Sequence, residues 1–293
     1  MKFALHFGNM AFPDPAGARR LALAAEAAGF ESVFGIEHVV WPTDYASTYP
    51  YSPTGKLPGG PATPLPDPLI WMTYAAALTT RLRFITGILI LPQRNPLVLA
   101  KEVATLDYMS GGRISLGIGV GWLKEEFEAL GVPFAKRGKR TDEHIAAMRA
   151  LWARDDASFH GEFVNFDHVS CNPKPAQVSV PFIIGGHSEA AAKRAGRLGD
   201  GFFPATGAQV DIDPLIELMR RTANEHGRDP AAIELTTGCP GALPNSGTDP
   251  LAAVEARVRQ GVHRVVLPVA PFLPDLEAKL AEFGEKVIRQ FAA

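Results

Sequence analysis

The feature that most constrains this fold is a regular alternation of short apolar runs with segments whose apolar residues recur at helical spacing. About eight of the runs fit strands, and nearly every one is followed by a helical pattern. Several runs are apolar throughout, such as residues 88–91 and 265–267, which is typical of parallel strands covered on both faces. The alternation is compatible with either an open, doubly wound sheet or a closed (β/α)₈ barrel.

The number and spacing of the predicted strands favour the barrel. These strands cover residues 1–7, 32–36, 82–91, 113–117, 181–184, 201–203, 233–237 and 263–269. Eight strand–helix units fit the 293 residues of the chain. An open dinucleotide-binding sheet would usually carry G-x-G-x-x-G after its first strand, whereas this chain reads Phe7-Gly8-Asn9-Met10 there. We therefore predict an α/β fold, a single (β/α)₈ TIM barrel domain with insertions over residues 1–293.

Two insertions interrupt the pattern. Residues 41–68 contain eight prolines, which can hold neither a helix nor a strand, and they follow the second predicted strand. In a barrel this loop lies on the C-terminal face, where active sites occur, so we predict a substrate lid. Residues 158–180 contain an alternating segment around Gly161 that is typical of a β-hairpin, which we expect to pack on the barrel or on a partner subunit.

Composition excludes several classes of function. Lys and Arg number 29 and Asp and Glu 31, a balance that argues against binding nucleic acid. No apolar run approaches the roughly 18 residues of a membrane helix. The two cysteines form no CxxC pair, and neither H-x-H nor HExxH occurs, so no metal site is expected. We expect a cytoplasmic enzyme.

Two glycine-rich turns follow neighbouring predicted strands. The first is Gly117-Ile118-Gly119-Val120-Gly121, and the second is Gly185-Gly186-His187-Ser188 before a predicted helix. Glycines let a backbone approach a ligand closely, and amides at a helix start bind phosphate. Each turn is equally compatible with a structural role, and Ser188 fits a plain N-cap. Two such turns on one barrel face indicate a phosphorylated cofactor.

Histidines at two predicted strand ends are candidates for chemistry. Glu37-His38 ends the second strand, where a histidine can act as a general acid or base or can simply bind the rim of the barrel. His6, on the first strand, is expected to line the pocket or the core. A charged group at residues 137–143 begins a predicted helix, and we expect it to form a solvated or salt-bridged face.

A series of motifs resembles the luciferase-like monooxygenase superfamily. The motifs are ITGILILP at 85–92, RNP at 94–96, KEVATLD at 101–107, SGGR at 110–113, GIGVGW at 117–122, IGGHS at 184–188 and GDG at 199–201. The resemblance covers essentially the whole chain. It implies a (β/α)₈ barrel that uses FMN or the deazaflavin coenzyme F420, and the Glu37-His38 pair is more similar to the F420-dependent branch.

The resemblance also implies residue roles. The phosphate end of the cofactor would be surrounded by Gly119, Val120, Gly121, Gly185, Gly186, His187 and Ser188. The third strand would back the ring system with a bulge at Gly87, Ile88 and Leu89 that holds a non-proline cis peptide, expected at the Ile88–Leu89 bond. Glu37 and His38 would lie near the reactive carbon of the ring, with His38 as the proton donor.

Three functions remain open at this point. The first is an F420-dependent oxidoreductase that transfers a hydride between the coenzyme and a small organic substrate. The second is an FMN-dependent monooxygenase fed by a separate reductase. The third is a flavin-binding barrel without catalysis, because a fold alone does not determine function. By resemblance, we expect a homodimer.

Overall fold

The computed structural model describes residues 1–204 and 211–291, so residues 205–210 and 292–293 of the predicted domain lie outside the described residues. The strands within them are β1 (Lys2–His6), β2 (Ser32–Gly35), β3 (Arg83–Thr86), β4 (Leu89–Ile90), β5 (Ile114–Gly119), β6 (Ala157–His160), β7 (Asn165–Val169), β8 (Phe182–Gly185), β9 (Gly201–Phe203), β10 (Glu234–Gly238) and β11 (Arg264–Pro268).

Helices follow most of the strands. They are α1 (Gly8–Ala11), α2 (Pro15–Ala28), α3 (Pro68–Ala76), α4 (Pro96–Ser110), α5 (Lys124–Ala129), α6 (Arg137–Ala153), α7 (Glu189–Leu198), α8 (Asp213–Glu225), α9 (Pro250–Arg259) and α10 (Leu276–Lys286). Short 3₁₀ turns cover Leu91–Gln93, Pro230–Ala232, Pro240–Ala242, Ala270–Phe272 and Ile288–Phe291. No described helix combines the length and the apolar character needed to cross a bilayer.

Local sequence explains where the long helices begin and end. Asp14 and Asn95 accept hydrogen bonds from backbone amides of the first turns of α2 and α4, and a proline follows each of them at the first helical position. Both helices end at a glycine in the left-handed region, Gly29 with φ 87° and Gly111 with φ 68°. These signals fix the helices that cover the outside of the sheet.

The parallel strands close into a barrel, which confirms the predicted fold. Their order is β1-β2-β3-β5-β8-β9-β10-β11, and β11 pairs again with β1 from Lys2↔Arg264 to His6↔Pro268. β4 continues the line of β3 and pairs with β5 at Leu89↔Ile118. Because all the strands run in one direction, their carboxyl ends meet at a single mouth of the barrel.

The third strand departs from the sequence prediction. Residues 82–91 look like one apolar run, but the structure interrupts them after Thr86 and resumes at Leu89. The cis peptide lies at Gly87–Ile88, so the expected bond, Ile88–Leu89, was wrong by one residue. Glycine fits this place because an added Cβ at Gly87 would lie 2.6 Å from Phe34 Cδ1.

The two insertions differ in structure. Between Gly35 and Pro68 the chain forms turns and bends without a helix or strand. The second insertion contains the antiparallel hairpin of β6 and β7, whose connecting turn is held by the Glu143 carboxylate of α6. This carboxylate accepts hydrogen bonds from the backbone amides of Phe163 at 2.6 Å and Val164 at 2.5 Å. The hairpin therefore packs against α6.

The charged group at the start of α6 is only partly ion-paired. Asp142 bridges Arg194 and Arg197 of α7. Arg140 is buried, donates to the carbonyl of Pro133 at 2.7 Å and lies over the Phe163 ring. Of the two expected alternatives, the salt-bridged one is therefore correct for Asp142, whereas Arg140 is held by backbone carbonyls.

A small apolar layer fills the inside of the barrel. It consists of Ala4, Phe34, Ile85, Ile183, Phe203 and Val266, with Ile88 packed on its upper side. The neighbouring residues Phe3 and Leu5 belong instead to the larger core between the sheet and the helices. Since side chains alternate along a strand, His6 shares the inward face of Ala4. The layer closes the barrel below the mouth.

Candidate active site

Glycines and one isoleucine shape the floor of the barrel mouth. On β5 and β8 the inward positions level with the mouth are Gly119 and Gly185. A Cβ at Gly119 would overlap the Ile88 side chain, and one at Gly185 would lie 2.7 Å from Ile88 Cγ2. Ile88 thus lies across the ends of both strands and stays partly exposed. The bulge supplies an apolar platform at the mouth.

The two glycine-rich turns lie side by side, as the sequence predicted. Their strands pair in parallel, with Ile118 opposite Ile184, and β5 extends into the first turn as far as Gly119. In the second turn, Ser188 accepts a hydrogen bond from Ala191 N at 3.2 Å and caps α7. Gly186 adopts φ 123°, a conformation that L side chains rarely take. Ser188 therefore has the predicted N-cap role.

His187 contributes an unsatisfied polar atom to the second turn. Its Nδ1 is buried and has no hydrogen-bond partner among the described residues. The ring lies 5.0 Å from the Tyr51 ring of the proline-rich loop. Buried polar atoms normally have partners, so this nitrogen indicates a place for a bound group.

Arg137 places a cation beside the first turn. Its Nε donates to the carbonyl of Gly121 at 3.1 Å, and its guanidinium carbon lies 3.8 Å from the centre of the Phe134 ring. Burial lowers the pKa of Arg137. Within residues 1–204 and 211–291 no carboxylate pairs with it. A half-buried guanidinium without a counter-ion is suited to hold an anion.

Glu37 lies in the barrel wall with its carboxylate almost fully buried. It accepts hydrogen bonds from Ile90 N at 2.7 Å and from Arg94 Nε at 2.8 Å. Arg94 also pairs with Asp67 at 2.5 Å. Burial raises the pKa of Glu37, while Arg94 and the amide of Ile90 act in the opposite direction. The pair joins the end of β2 to the bulge.

The carboxylate that reaches the His38 ring belongs to Glu126, in the first turn of α5. Nδ1 of His38 lies 3.0 Å from Oε2 of Glu126, whose side chain is only 1% exposed. The other oxygen, Oε1, accepts from the amides of Val39 at 2.7 Å and Val40 at 3.3 Å. A carboxylate oxygen can only accept, so Nδ1 carries a proton and donates it to Glu126. Nε2 has no partner in the described part of the chain and is free to act as a base or, when protonated, as an acid.

The neighbouring glutamate holds the proline-rich loop. Oε1 of Glu125 accepts from the amides of Ala46 at 2.7 Å and Ser47 at 3.1 Å. Burial opposes ionisation of Glu125, but hydrogen bonds from Ser47 and Ala46 outweigh it and lower the pKa to about 2. Tyr49 of the loop lies 5.1 Å from Trp122, which follows the first glycine turn. The loop is thereby attached to the first turn of α5 and to Trp122.

The residues present fit a flat coenzyme with an anionic tail. Ile88 supplies an apolar support, and Arg137 and the orphaned His187 nitrogen stand ready for negative charge at the adjacent turns. No cluster of three or more His, Cys, Asp or Glu among the described residues is arranged to hold a metal ion.

Comparison with known proteins decides the family. The model of the luciferase-like monooxygenase family matches residues 3–282. The chain belongs to the luciferase-like monooxygenase family. An uncharacterized protein of Mycobacterium tuberculosis is 39% identical to this luciferase-like chain over 208 residues, which cover 71% of this chain and 72% of the relative. The FMNH₂-dependent dimethylsulfone monooxygenase of Pseudomonas putida is 37% identical over 155 residues, or 52% of this chain and 42% of that protein.

Solved structures share the luciferase-like barrel. The monooxygenase RslO1 of Streptomyces bottropensis aligns over 100% of both chains with a TM-score of 0.77 and 25% identity. The coenzyme F420-dependent tetrahydromethanopterin reductase of Methanopyrus kandleri aligns over 99% of both chains with a TM-score of 0.77 and 19% identity. A monooxygenase and an F420-dependent reductase therefore share this fold.

Two site residues of this luciferase-like chain escaped sequence reasoning. Glu126 sits in an acidic first turn, a pattern that usually indicates only a favourable interaction with the helix dipole. Arg137 belongs to the charged group that we expected to be paired or solvated. The only available signal was their position just after the glycine-rich turn. Their contacts depend on the loop and on the turn of α6, which no local pattern encodes.

Proposed function

We propose that this protein is an F420-dependent oxidoreductase that transfers a hydride between the deazaflavin coenzyme and a small organic substrate. The observation that carries the proposal is the His38–Glu126 pair at 3.0 Å, at the mouth that also presents two glycine turns suited to an anion. A fixed histidine beside a redox coenzyme supplies the proton that must accompany a hydride.

Each part of the mouth has a role in the proposal. The anionic tail would be held by the backbone amides of the two turns, by His187 and by Arg137. Gly87, Ile88 and Leu89 would support the ring, with Ile88 as the surface in contact. Gly119, Val120, Gly121, Gly185, Gly186 and Ser188 would shape the phosphate site. Glu37 would act as a positioning residue through Arg94.

The protein's own chemistry is proton transfer and exclusion of water. When bound, F420 would exchange a hydride with the substrate, whereas reduced FMN would react with oxygen. His38 would donate the proton from Nε2 to the substrate atom that gains charge, and would accept it in the reverse direction. Glu126 holds the ring in one orientation throughout. The loop over residues 41–68 would cover the mouth and keep bulk water away.

An FMN-dependent monooxygenase is the second candidate. The similarity to the dimethylsulfone monooxygenase of Pseudomonas putida favours it, and such an enzyme would need a separate reductase. A barrel that binds a flavin without catalysis is the third. All three candidates use the same tail site, so binding of the coenzyme is the first measurement.

Titration of the protein with F420 and with FMN, followed by fluorescence, tests the proposal. We expect F420 to bind at least tenfold more tightly than FMN. The reverse preference would establish the monooxygenase alternative. Binding of neither coenzyme would overturn all three candidates. Binding of F420 without any change of its redox state by alcohols, aldehydes or ketones would favour the barrel without catalysis.

Arg137→Gln tests the tail site. The substitution removes the unpaired guanidinium beside Gly121, and loss of one charge-assisted hydrogen bond corresponds to about tenfold weaker binding of the coenzyme. Lys139→Gln, at an exposed position of the same helix, is the matched control and should leave the dissociation constant unchanged. Equal effects of the two substitutions would show that only general charge matters.

A further inference from the structure

His6 is a largely buried histidine that the proposed chemistry does not use. It is the last residue of β1, and its Nε2 lies 2.8 Å from the carbonyl oxygen of Gly87. A carbonyl can only accept a hydrogen bond, so Nε2 carries the proton. Burial lowers the pKa of His6 to about 4, so the ring is neutral near pH 7. Nδ1 is then a bare acceptor.

Nδ1 of His6 can accept a hydrogen bond, but no described residue donates one. No hydrogen bond to His6 Nδ1 forms within residues 1–204 and 211–291, and this nitrogen is not among their fully buried unsatisfied atoms. The side chain is partly exposed at the mouth. A neutral imidazole with one nitrogen bonded and the other open can accept one hydrogen bond from a bound molecule.

The surroundings of His6 are aromatic. Its ring stacks on Phe7 with centroids 3.9 Å apart, and the edges of Phe34 and Phe203 meet it at 5.9 Å each. Phe34 and Phe203 also belong to the apolar layer on which Ile88 packs. The acceptor nitrogen is therefore a polar point in an otherwise apolar floor, which is the usual design of a site that fixes the orientation of a small ligand.

The register of the strands places His6 at the carboxyl end of β1, beside β2. β1 and β2 pair at Leu5↔Val33, so His6 is level with Phe34 on the neighbouring strand, and His38 follows Phe34 by four residues, beyond the end of β2. Both histidines therefore lie towards the carboxyl ends of neighbouring strands, at the mouth of the barrel.

We propose that His6 determines substrate specificity by accepting a hydrogen bond from a hydroxyl group of a small, mainly apolar substrate. The inference rests on the proposed function, because it takes the mouth as the substrate site. His6 is a recognition residue here and not the proton donor, since the proton of its neutral ring stays on Nε2, which donates a hydrogen bond to the Gly87 carbonyl.

The test uses three probes of similar shape: benzyl alcohol, benzyl methyl ether and benzaldehyde. The full chain is saturated with the coenzyme that the titration selects, or used alone if neither binds, and probe affinity is measured by calorimetry. We expect benzyl alcohol to bind about tenfold more tightly than either other probe, the factor for one hydrogen bond of about 1.4 kcal/mol. Nitrogen-15 NMR should show the Nδ1 signal of His6 moving upfield with the alcohol alone.

Variants separate recognition from packing. His6→Asn keeps an acceptor near the position of Nδ1 and should retain the preference for the alcohol. His6→Gln keeps a donor towards Gly87 and should lose the preference, as should His6→Phe. His144→Gln is the matched control, because it alters a second buried histidine, whose Nδ1 lies 3.4 Å from Leu91 O. It should lower stability without changing the order of the probes.

The outcomes distinguish the two proposals. No preference in the native chain, or a preference that survives in His6→Phe, would overturn the role of His6. Coenzyme titration of the same variants reports on the proposed function alone. Normal coenzyme binding with no probe preference would reject only His6, and a probe preference without coenzyme binding would reject only the oxidoreductase.

Discussion

At the scale of single residues, Arg94 compensates the charge of the buried Glu37 carboxylate in the barrel wall. We expect Arg94→Gln to lower the free energy of unfolding by about 3 kcal/mol near pH 7.5, because it leaves Glu37 buried beside a neutral group. Without Arg94, burial holds the folded pKa of Glu37 above its unfolded value. The folded state then binds more protons than the unfolded chain, so stability falls as pH rises from about 4. Urea unfolding at pH 5 and pH 7.5 measures the difference.

Two further variants check this explanation. Adding Glu37→Gln to Arg94→Gln removes the uncompensated charge and should restore most of the loss and abolish its pH dependence. Asp67→Asn should cost less than either single change at the Glu37–Arg94 pair, because Asp67 is partly exposed and asparagine also caps a helix. A pH-independent loss in Arg94→Gln would contradict the explanation.

The partner of His38 could not be predicted from the sequence. The sequence identified His38, because a histidine at a strand end of a barrel is unusual and chemically versatile. It paired that histidine with Glu37, its neighbour in the chain. The structure brings Glu126 to the ring from 88 residues away, and no periodicity reports such a contact. Local patterns predict which residues are reactive, whereas long-range packing decides which of them meet.

At the scale of elements, the first turn of α5 fastens the proline-rich loop. We expect Glu125→Gln to increase hydrogen exchange at the amides of Ala46 and Ser47 about tenfold at neutral pH, because a neutral amide accepts more weakly than a carboxylate. Exchange in α4 should be unchanged. Glu128→Gln, an exposed position on the same helix, is the control and should leave the loop as it is. Uniform changes across the chain would show a loss of global stability instead.

Helices and strands could be predicted where a pattern of neighbouring residues determines them. The apolar runs and the Asn95–Pro96 signal placed the strands and α4 close to their observed bounds. The break in the third strand was not predictable, since residues 85–91 are apolar without interruption. It depends on the close approach of β3 and β5, where a Cβ at Gly117 would overlap the carbonyl of Thr86. Such a contact exists only once the barrel has closed.

At the scale of the whole molecule, an ion-pair cluster closes the end of the barrel opposite the mouth. Arg264 is 3% exposed and begins β11, and it donates to both oxygens of Glu31 at 3.0 and 3.1 Å. It also pairs with Glu234, the first residue of β10. We expect Arg264→Met to lower the free energy of unfolding by about 3 kcal/mol while coenzyme affinity stays unchanged.

The matched control for this cluster is Arg20→Met, which removes an exposed pair with Glu277 and should change stability little. A loss of coenzyme affinity in Arg264→Met at temperatures where the protein remains folded would contradict the separation of the two ends. At this scale the sequence was sufficient to predict the barrel fold, because eight strand–helix units have few closed arrangements. The homodimer and the cytoplasmic location stay predictions.

The attachment of the loop has a consequence for diversification. Glu125 and Glu126 accept hydrogen bonds from the main-chain amides of residues 39, 40, 46 and 47. Every amino acid except proline has such an amide. Side chains at those positions can therefore be substituted without loss of the hydrogen bonds that attach the proline-rich loop. During evolution, substrate specificity can therefore change through the side chains of the loop while the loop keeps its attachment to α5.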